Sequence, residues 1–214
     1  MQEIINRAKE LLADGTVVRV LGWRIGDLPY NPEPSYFETA EDLEANFVYN
    51  GFCGANLSKY MIEGSKLEGK TLVFLKPCDT YSFNQLIKEN RVDREKAYII
   101  GIGCKGKLDV EKIKAQGVKG ILNIRGAEYD GPADTLTAET LYGEKTVPYK
   151  DAMLERCHVC KGKDHMVYDE LLGESTDTKD ADRFAEVEKI EAMSPEEKFA
   201  YFQSELSKCI RCNA

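Results

Sequence analysis

The stretch from residue 70 to residue 103 constrains this chain most. KTLVFLK (70–76) and AYIIGIG (97–103) are short, nearly continuous apolar runs, and TYSFNQLIKEN (80–90) between them carries a helical pattern. Strands without polar alternation are buried on both faces, which is the habit of parallel sheets. Parallel neighbours need a crossover connection, usually a helix, and that crossover is right-handed. The segment therefore reads as a βαβ unit. The fold class that follows is α/β: a mixed, largely parallel sheet with flanking helices, plus a helical C-terminal extension.

The flanking sequence adds elements on both sides. Residues 2–13 place Ile4, Ile5, Ala8, Leu11 and Leu12 on one helical face, and Gly15 ends the pattern. TVVRVLGW reads as a strand and GDLPYNPEPS as a loop. Thr39 with Asp42 is expected to cap a short helix at 40–47, and residues 51–64 read as a glycine-rich turn followed by a helix to about residue 62. LDVEKIKAQ reads as a helix, KGILNIRG as a strand, and DTLTAETLYGEKTVPY as a hairpin turning near Tyr142–Lys145. KDAMLERC reads as one or two helical turns. GESTDTKDADRF is poor in apolar residues and reads as an exposed acidic linker, after which Ser194, Pro195 and Glu197 open a capped helix. The expected division is a core domain over 1–173 and a linker with helix over 174–214.

The βαβ reading also places thiols. Cys78 follows the first strand and Cys104 the second. Both strands point the same way, about 4.8 Å apart, so their carboxyl ends share one sheet edge. Open α/β sheets bind ligands in that crevice. RCHVC brings Cys157 and Cys160 on one tight turn. Four thiolates complete the ligation of a [4Fe–4S] cluster. They also suit zinc, and the only two histidines, His158 and His165, lie beside the second pair. The residues leave both metals open. Taken singly, a cysteine at a strand end is more commonly a small buried apolar residue. Cys53 has no paired cysteine and reads as structural. Gly101, Gly103 and Gly106 are expected to let backbone amides approach a bound cluster. Lys76 and Asp79, flanking Cys78, read either as tuning groups or as solvated charges.

Composition narrows the function classes. The 214-residue chain holds seven cysteines. Its N-terminus lacks the basic and apolar regions of a signal peptide, and its apolar runs are too short to span a bilayer. The chain reads as cytoplasmic, with no membrane partner. Cysteines there are kept reduced, so metal binding or redox work is a better reading than disulfides. A net charge of −8 without a basic stripe argues against nucleic acid as a partner. No Ser/His/Asp or Cys/His arrangement and no G-x-G-x-x-G after a strand is present, so the catalytic residues stay unknown.

The chain ends in SELSKCIRCNA, with Cys209 and Cys212 in a second C-x-x-C pair. Ferredoxin-type ligation runs C-x₂-C-x₂-C-x₃-C-P. On that spacing the third cysteine falls just past Ala214. The pair reads as the first two ligands of an incomplete second cluster, with both thiols unmetallated here.

LVFLKPCDTYSFNQL, YIIGIGCKG and ERCHVCKGK followed by DELLGE resemble the beta subunit family of the coenzyme F-420 (deazaflavin) hydrogenases and dehydrogenases. The likeness runs roughly over residues 10–173. It implies a [4Fe–4S] cluster on Cys78, Cys104, Cys157 and Cys160 beside a flavin such as FAD. It places FVYNGFCGANLSKYM near that flavin, with Asn56, Lys59 and Tyr60 as contacts. Residues 174–208 depart from the family, which has a Gly/Ser-rich flavin-contacting motif there. The expected function is an electron-transfer iron–sulfur subunit of an oxidoreductase complex of the hydrogenase, formate dehydrogenase or heterodisulfide-reductase type. Its partners would be other redox subunits, and it would not act alone. From the residues themselves, two alternatives stand beside it: a zinc-stabilised binding or scaffold module, and a flavoprotein with structural cysteines.

Overall fold

Residues 70–103 fold as a βαβ unit, and the rest of the first domain is built around it. In the computed structural model, residues 1–129, 134–160, 162–175 and 182–211 are described. The chain opens with α1 (Gln2–Ala13), then β1 (Arg19–Arg24), β2 (Glu33–Phe37) and α2 (Ala40–Asn46). A single-turn 3₁₀ segment (Leu57–Tyr60) leads into α3 (Met61–Gly64). The central unit is β3 (Thr71–Leu75), α4 (Pro77–Lys88) and β4 (Ala97–Ile102). Next come α5 (Val110–Ala115), β5 (Ile121–Arg125), β6 (Thr135–Thr140), β7 (Gly143–Pro148), α6 (Glu155–His158) and β8 (Glu170–Leu172). Two helices follow, α7 (Ala185–Glu191) and α8 (Pro195–Ser207). The chain divides into two compact units, Met1–Lys179 and Asp180–Ala214.

The main sheet has the order β2-β1-β3-β4-β8. β1, β3, β4 and β8 are mutually parallel, and β2 runs antiparallel to β1 at the edge. β3 is buried along its whole length and β4 everywhere but Tyr98, as strands covered on both faces require. The core holds Trp23, Phe37, Tyr49, Phe74 and Phe83, all fully buried. Helix α1 contributes Ile4, Ile5, Ala8 and Leu11 to it. The same helix is clamped to β8 by Arg7, which donates to both oxygens of Glu170 at 2.8 and 2.5 Å, while the Tyr98 hydroxyl donates to that carboxylate. Gly22 in β1 has a packing reason: a Cβ there would come within 2.7 Å of the Phe47 ring.

A second sheet, β5-β6-β7, is wholly antiparallel. Its inner face closes a separate core with Phe52, Leu108, Ile113, Leu136, Val147 and Tyr149. In the second unit, α8 begins with a full capping box. Ser194 Oγ accepts from Glu197 N at 3.3 Å, and the Glu197 carboxylate accepts from Ser194 N at 2.8 Å. Among the described residues, no helix is long and apolar enough to cross a membrane.

Three elements differ from the sequence expectation. The Pro-rich segment read as loop contains β2, whose Pro34 is tolerated because the strand lies at the sheet edge. β8 is a strand of three residues in DELLGE, too short to show a period. α7 forms beyond the acidic segment, part of which (176–181) lies outside the described residues.

Candidate metal centre

The register Leu75↔Gly101 brings β3 and β4 to an end side by side. Past β3, the helix starts at once, with Pro77 as its first residue, so Cys78 stands in the first turn of α4 rather than in a loop. Past β4, Gly103 leads directly to Cys104. The second thiol pair comes from far along the chain and is stitched to this edge by backbone. Leu154 N donates to Lys107 O at 2.8 Å, and Asp109 N donates to Ala152 O at 2.8 Å. Lys107 N donates to the Cys157 sulfur at 3.3 Å. Cys157 lies on α6, and Cys160 follows two residues after that helix.

The result is a cavity of about 420 Å³ lined by all four cysteines, Cys78, Cys104, Cys157 and Cys160. Among the described residues, no group of three or more His, Cys, Asp or Glu side chains stands close enough together to hold a metal ion as placed. Cys104 is further held by its backbone N–H, which donates to Ser175 Oγ at 3.0 Å.

Among the described residues, the charged ones lining the cavity are all basic: Lys76, Lys107, Arg156 and Lys163. The first two are almost fully buried. Lys76 Nζ sits 2.7 Å from the Asp79 carboxylate, donates to Ala55 O at 2.7 Å, and lies over the Trp23 ring at 4.5 Å. Lys107 Nζ donates to Asn50 O at 2.8 Å and lies over the Tyr49 ring at 4.0 Å. Burial lowers the pKa of Lys107. Tyr49 is locked in turn by its hydroxyl, which donates to Gly103 O at 2.8 Å.

The thiols respond to the same surroundings. Cys78 presents surface to solvent. The atoms packed round its sulfur, and then the adjacent Asp79 carboxylate, nevertheless push its thiol up to about 12. Burial raises Cys157 as well, opposed by the backbone N–H of Lys107.

The other candidate residues lie elsewhere. Asn56, Lys59 and Tyr60 do not line the cavity. Asn56 Oδ1 caps the 3₁₀ segment through Ser58 N at 3.0 Å, and its amide donates to Ser82 Oγ at 2.9 Å. Lys59 lies over the Tyr60 ring, and the Tyr60 carbonyl accepts from Tyr36. Cys53 is fully buried among apolar neighbours, accepts from Asn50 N, and stands apart from the cavity. His158 is half-buried and off the cavity wall, and His165 Nε2 faces Ile102 O at 3.2 Å. The three glycines around Cys104 do not line the cavity either. Gly101 abuts His165 and Leu171, Gly103 abuts Glu174 and Tyr129, and Gly106 (φ +98°) abuts Met153. At all three a Cβ would meet a neighbouring side chain or backbone, so close chain packing also requires glycine there. Cys209 is exposed after α8, and Cys212 lies outside the described residues. Sequence reasoning missed Lys107, because nothing in GCKGKLD marks its second lysine as buried.

Fold and cavity together define a class: a largely parallel α/β domain whose carboxyl sheet edge opens into a four-cysteine cavity. In fold the chain is similar to a chain of the F420-reducing [NiFe] hydrogenase complex from Methanosarcina barkeri, solved after xenon derivatization. The two share a TM-score of 0.55 and 17% identity, over 73% of this chain and 58% of that one. This chain thus spans little more than half the length of that structural relative. No protein-family model and no curated protein matches the chain.

Proposed function

We propose that Cys78, Cys104, Cys157 and Cys160 hold a [4Fe–4S] cluster and that the chain is an electron-transfer subunit of a multi-subunit oxidoreductase complex. One observation carries this reading: four cysteines from three separate stretches of sequence line one cavity at the ligand-binding edge of the sheet. The fold likeness to a chain of a hydrogenase complex supports a place among redox subunits. Four thiolates are the full ligand set of such a cluster, which supplies one-electron transfer when bound. Zinc on the same thiolates, with sulfurs about 2.3 Å from the ion, is the alternative occupant that the experiment below separates.

The protein's own residues do the holding. The ends of β3 and β4 fix two sulfurs, α6 and the turn after it present two more, and the Lys107 N–H bond to Cys157 orients one of them. Buried Lys76 and Lys107 supply positive charge beside them.

Anaerobic reconstitution with iron and sulfide tests the reading. The expected product is brown and carries ~4 iron and ~4 sulfide per chain, with Cys78→Ser losing them. Stoichiometric zinc in a colourless protein would sink it.

A further inference from the structure

The chain carries a net charge of −8, yet among the described residues every charged one lining the four-cysteine cavity is a cation. The four cations are not equivalent. Lys76 is neutralised by Asp79 at 2.7 Å. Arg156 is exposed and Lys163 half-exposed, where water and salt screen their fields. Lys107 is 5% exposed, and among the described residues no carboxylate pairs with it. Among the described residues, its ammonium meets the Asn50 carbonyl and the face of Tyr49. A buried ammonium without a counter-ion is costly, and a carbonyl and a ring offset only part of that cost. Cys104 acts on Lys107 electrostatically ahead of Cys53 and Asp79, and the Cys157 sulfur accepts from the Lys107 backbone N–H.

We propose that Lys107 is the counter-charge of the four-cysteine cavity, a positioning residue that sets the reduction potential of the cluster held there. The inference rests on the cluster reading above. A cluster on four thiolates is net anionic, and taking one electron from a reductant such as dithionite adds a further negative charge. A fixed buried cation stabilises the reduced form more than the oxidised form, so it raises the potential. Lys76 contributes less, since Asp79 cancels its charge at a distance.

The test is a redox titration of reconstituted Lys107→Met, followed by visible absorbance, with iron and sulfide measured on the same samples. Lys107→Gln is run beside it, because it keeps a donor for the Asn50 carbonyl while removing the charge. Both variants are expected to load as the unsubstituted protein does. In both, the reduction equilibrium should shift about tenfold toward the oxidised form, a potential ~59 mV lower for one electron. The metal-free protein gives a second readout without any cluster. There, Lys107→Met should melt no lower than the unsubstituted chain, because an apolar side chain replaces a lone buried charge. Full loading in both variants with less than a threefold shift overturns the proposal and leaves the cluster reading standing. Failure of both folded variants to load also overturns it, since Lys107 would then serve assembly and not potential. An unsubstituted protein that takes up no iron overturns both readings.

Discussion

Two Cys-x-x-Cys pairs of identical spacing occur in this chain, in unlike surroundings. Cys157 sits on a short helix tied to the carboxyl edge of a parallel sheet, half-buried, with a backbone N–H on its sulfur. Cys160 joins it on the wall of a cavity that two strand-end cysteines complete. Cys209 follows the last turn of a helix whose large apolar residues Phe199, Phe202, Leu206 and Ile210 beyond it are all exposed. The motif is the same, but the scaffold is not. A thiol pair becomes a candidate metal site through what the fold sets against it, here two strand ends and two buried lysines.

The sharpest way to break this comparison is to remove one thiol from each region. Cys104→Ser is expected to abolish cluster loading, because Cys104 is buried and is one of the four thiols that line the cavity. Cys209→Ser should leave the iron content of the purified chain unchanged. Iron and sulfide analysis decides. Loss of iron in Cys209→Ser would make the C-terminal pair part of the same site, and retention in Cys104→Ser would remove that residue from the ligand set.

Stability should divide along the same line. Phe74 is fully buried in β3, where it meets Phe47 with ring centroids 5.2 Å apart. Phe74→Ala is expected to cost ~3–5 kcal/mol from lost burial and the cavity left behind. Phe202 on α8 is 53% exposed, and Phe202→Ala should stay within about 0.5 kcal/mol. Urea unfolding of both variants checks this. A large loss at Phe202 would show that its face of the helix is covered in solution.

How much of this was legible in the sequence depended on how local the signal was. The βαβ unit was readable because its strands are unbroken apolar runs, and the shared edge of Cys78 and Cys104 followed from strand direction alone. The α8 cap was readable because Ser194, Pro195 and Glu197 act within one turn. β8 was not: three residues cannot display a period, and it exists because β4 offers it an edge and Arg7 holds its glutamate. The burial of Lys107 was hidden for a similar reason. Its environment is made by Tyr49 and Asn50, more than fifty residues upstream, and no local pattern encodes them. The packing around the glycines near Cys104 was hidden too, since a sequence shows that a Cβ is missing and not what stands in its place.

That hidden clamp gives a smaller effect than the loss of Cys104 or Phe74. In the first unit, Glu170 accepts from Arg7 and Tyr98, and chiefly the Arg7 bonds hold its carboxyl near 2, against an ordinary value of 4.5. In the second unit, Glu197 is also held low, by the Ser194 N–H of the capping box, but it ties only one turn of its own helix. A carboxylate that ionises more readily folded than unfolded adds stability above its ordinary value. That stability is lost as the pH falls from about 4.5 toward about 2. Arg7 and Glu170 are each about one-third exposed, so solvent screening keeps the contribution to ~1 kcal/mol or less. Glu170→Gln should therefore lower the midpoint of thermal unfolding at neutral pH by ~2–4 °C at most. The deficit against the unsubstituted chain should narrow through that acid window. A deficit that stays constant down to the lowest pH would mean that Glu170 acts by packing on α1 and β4 rather than by its charge.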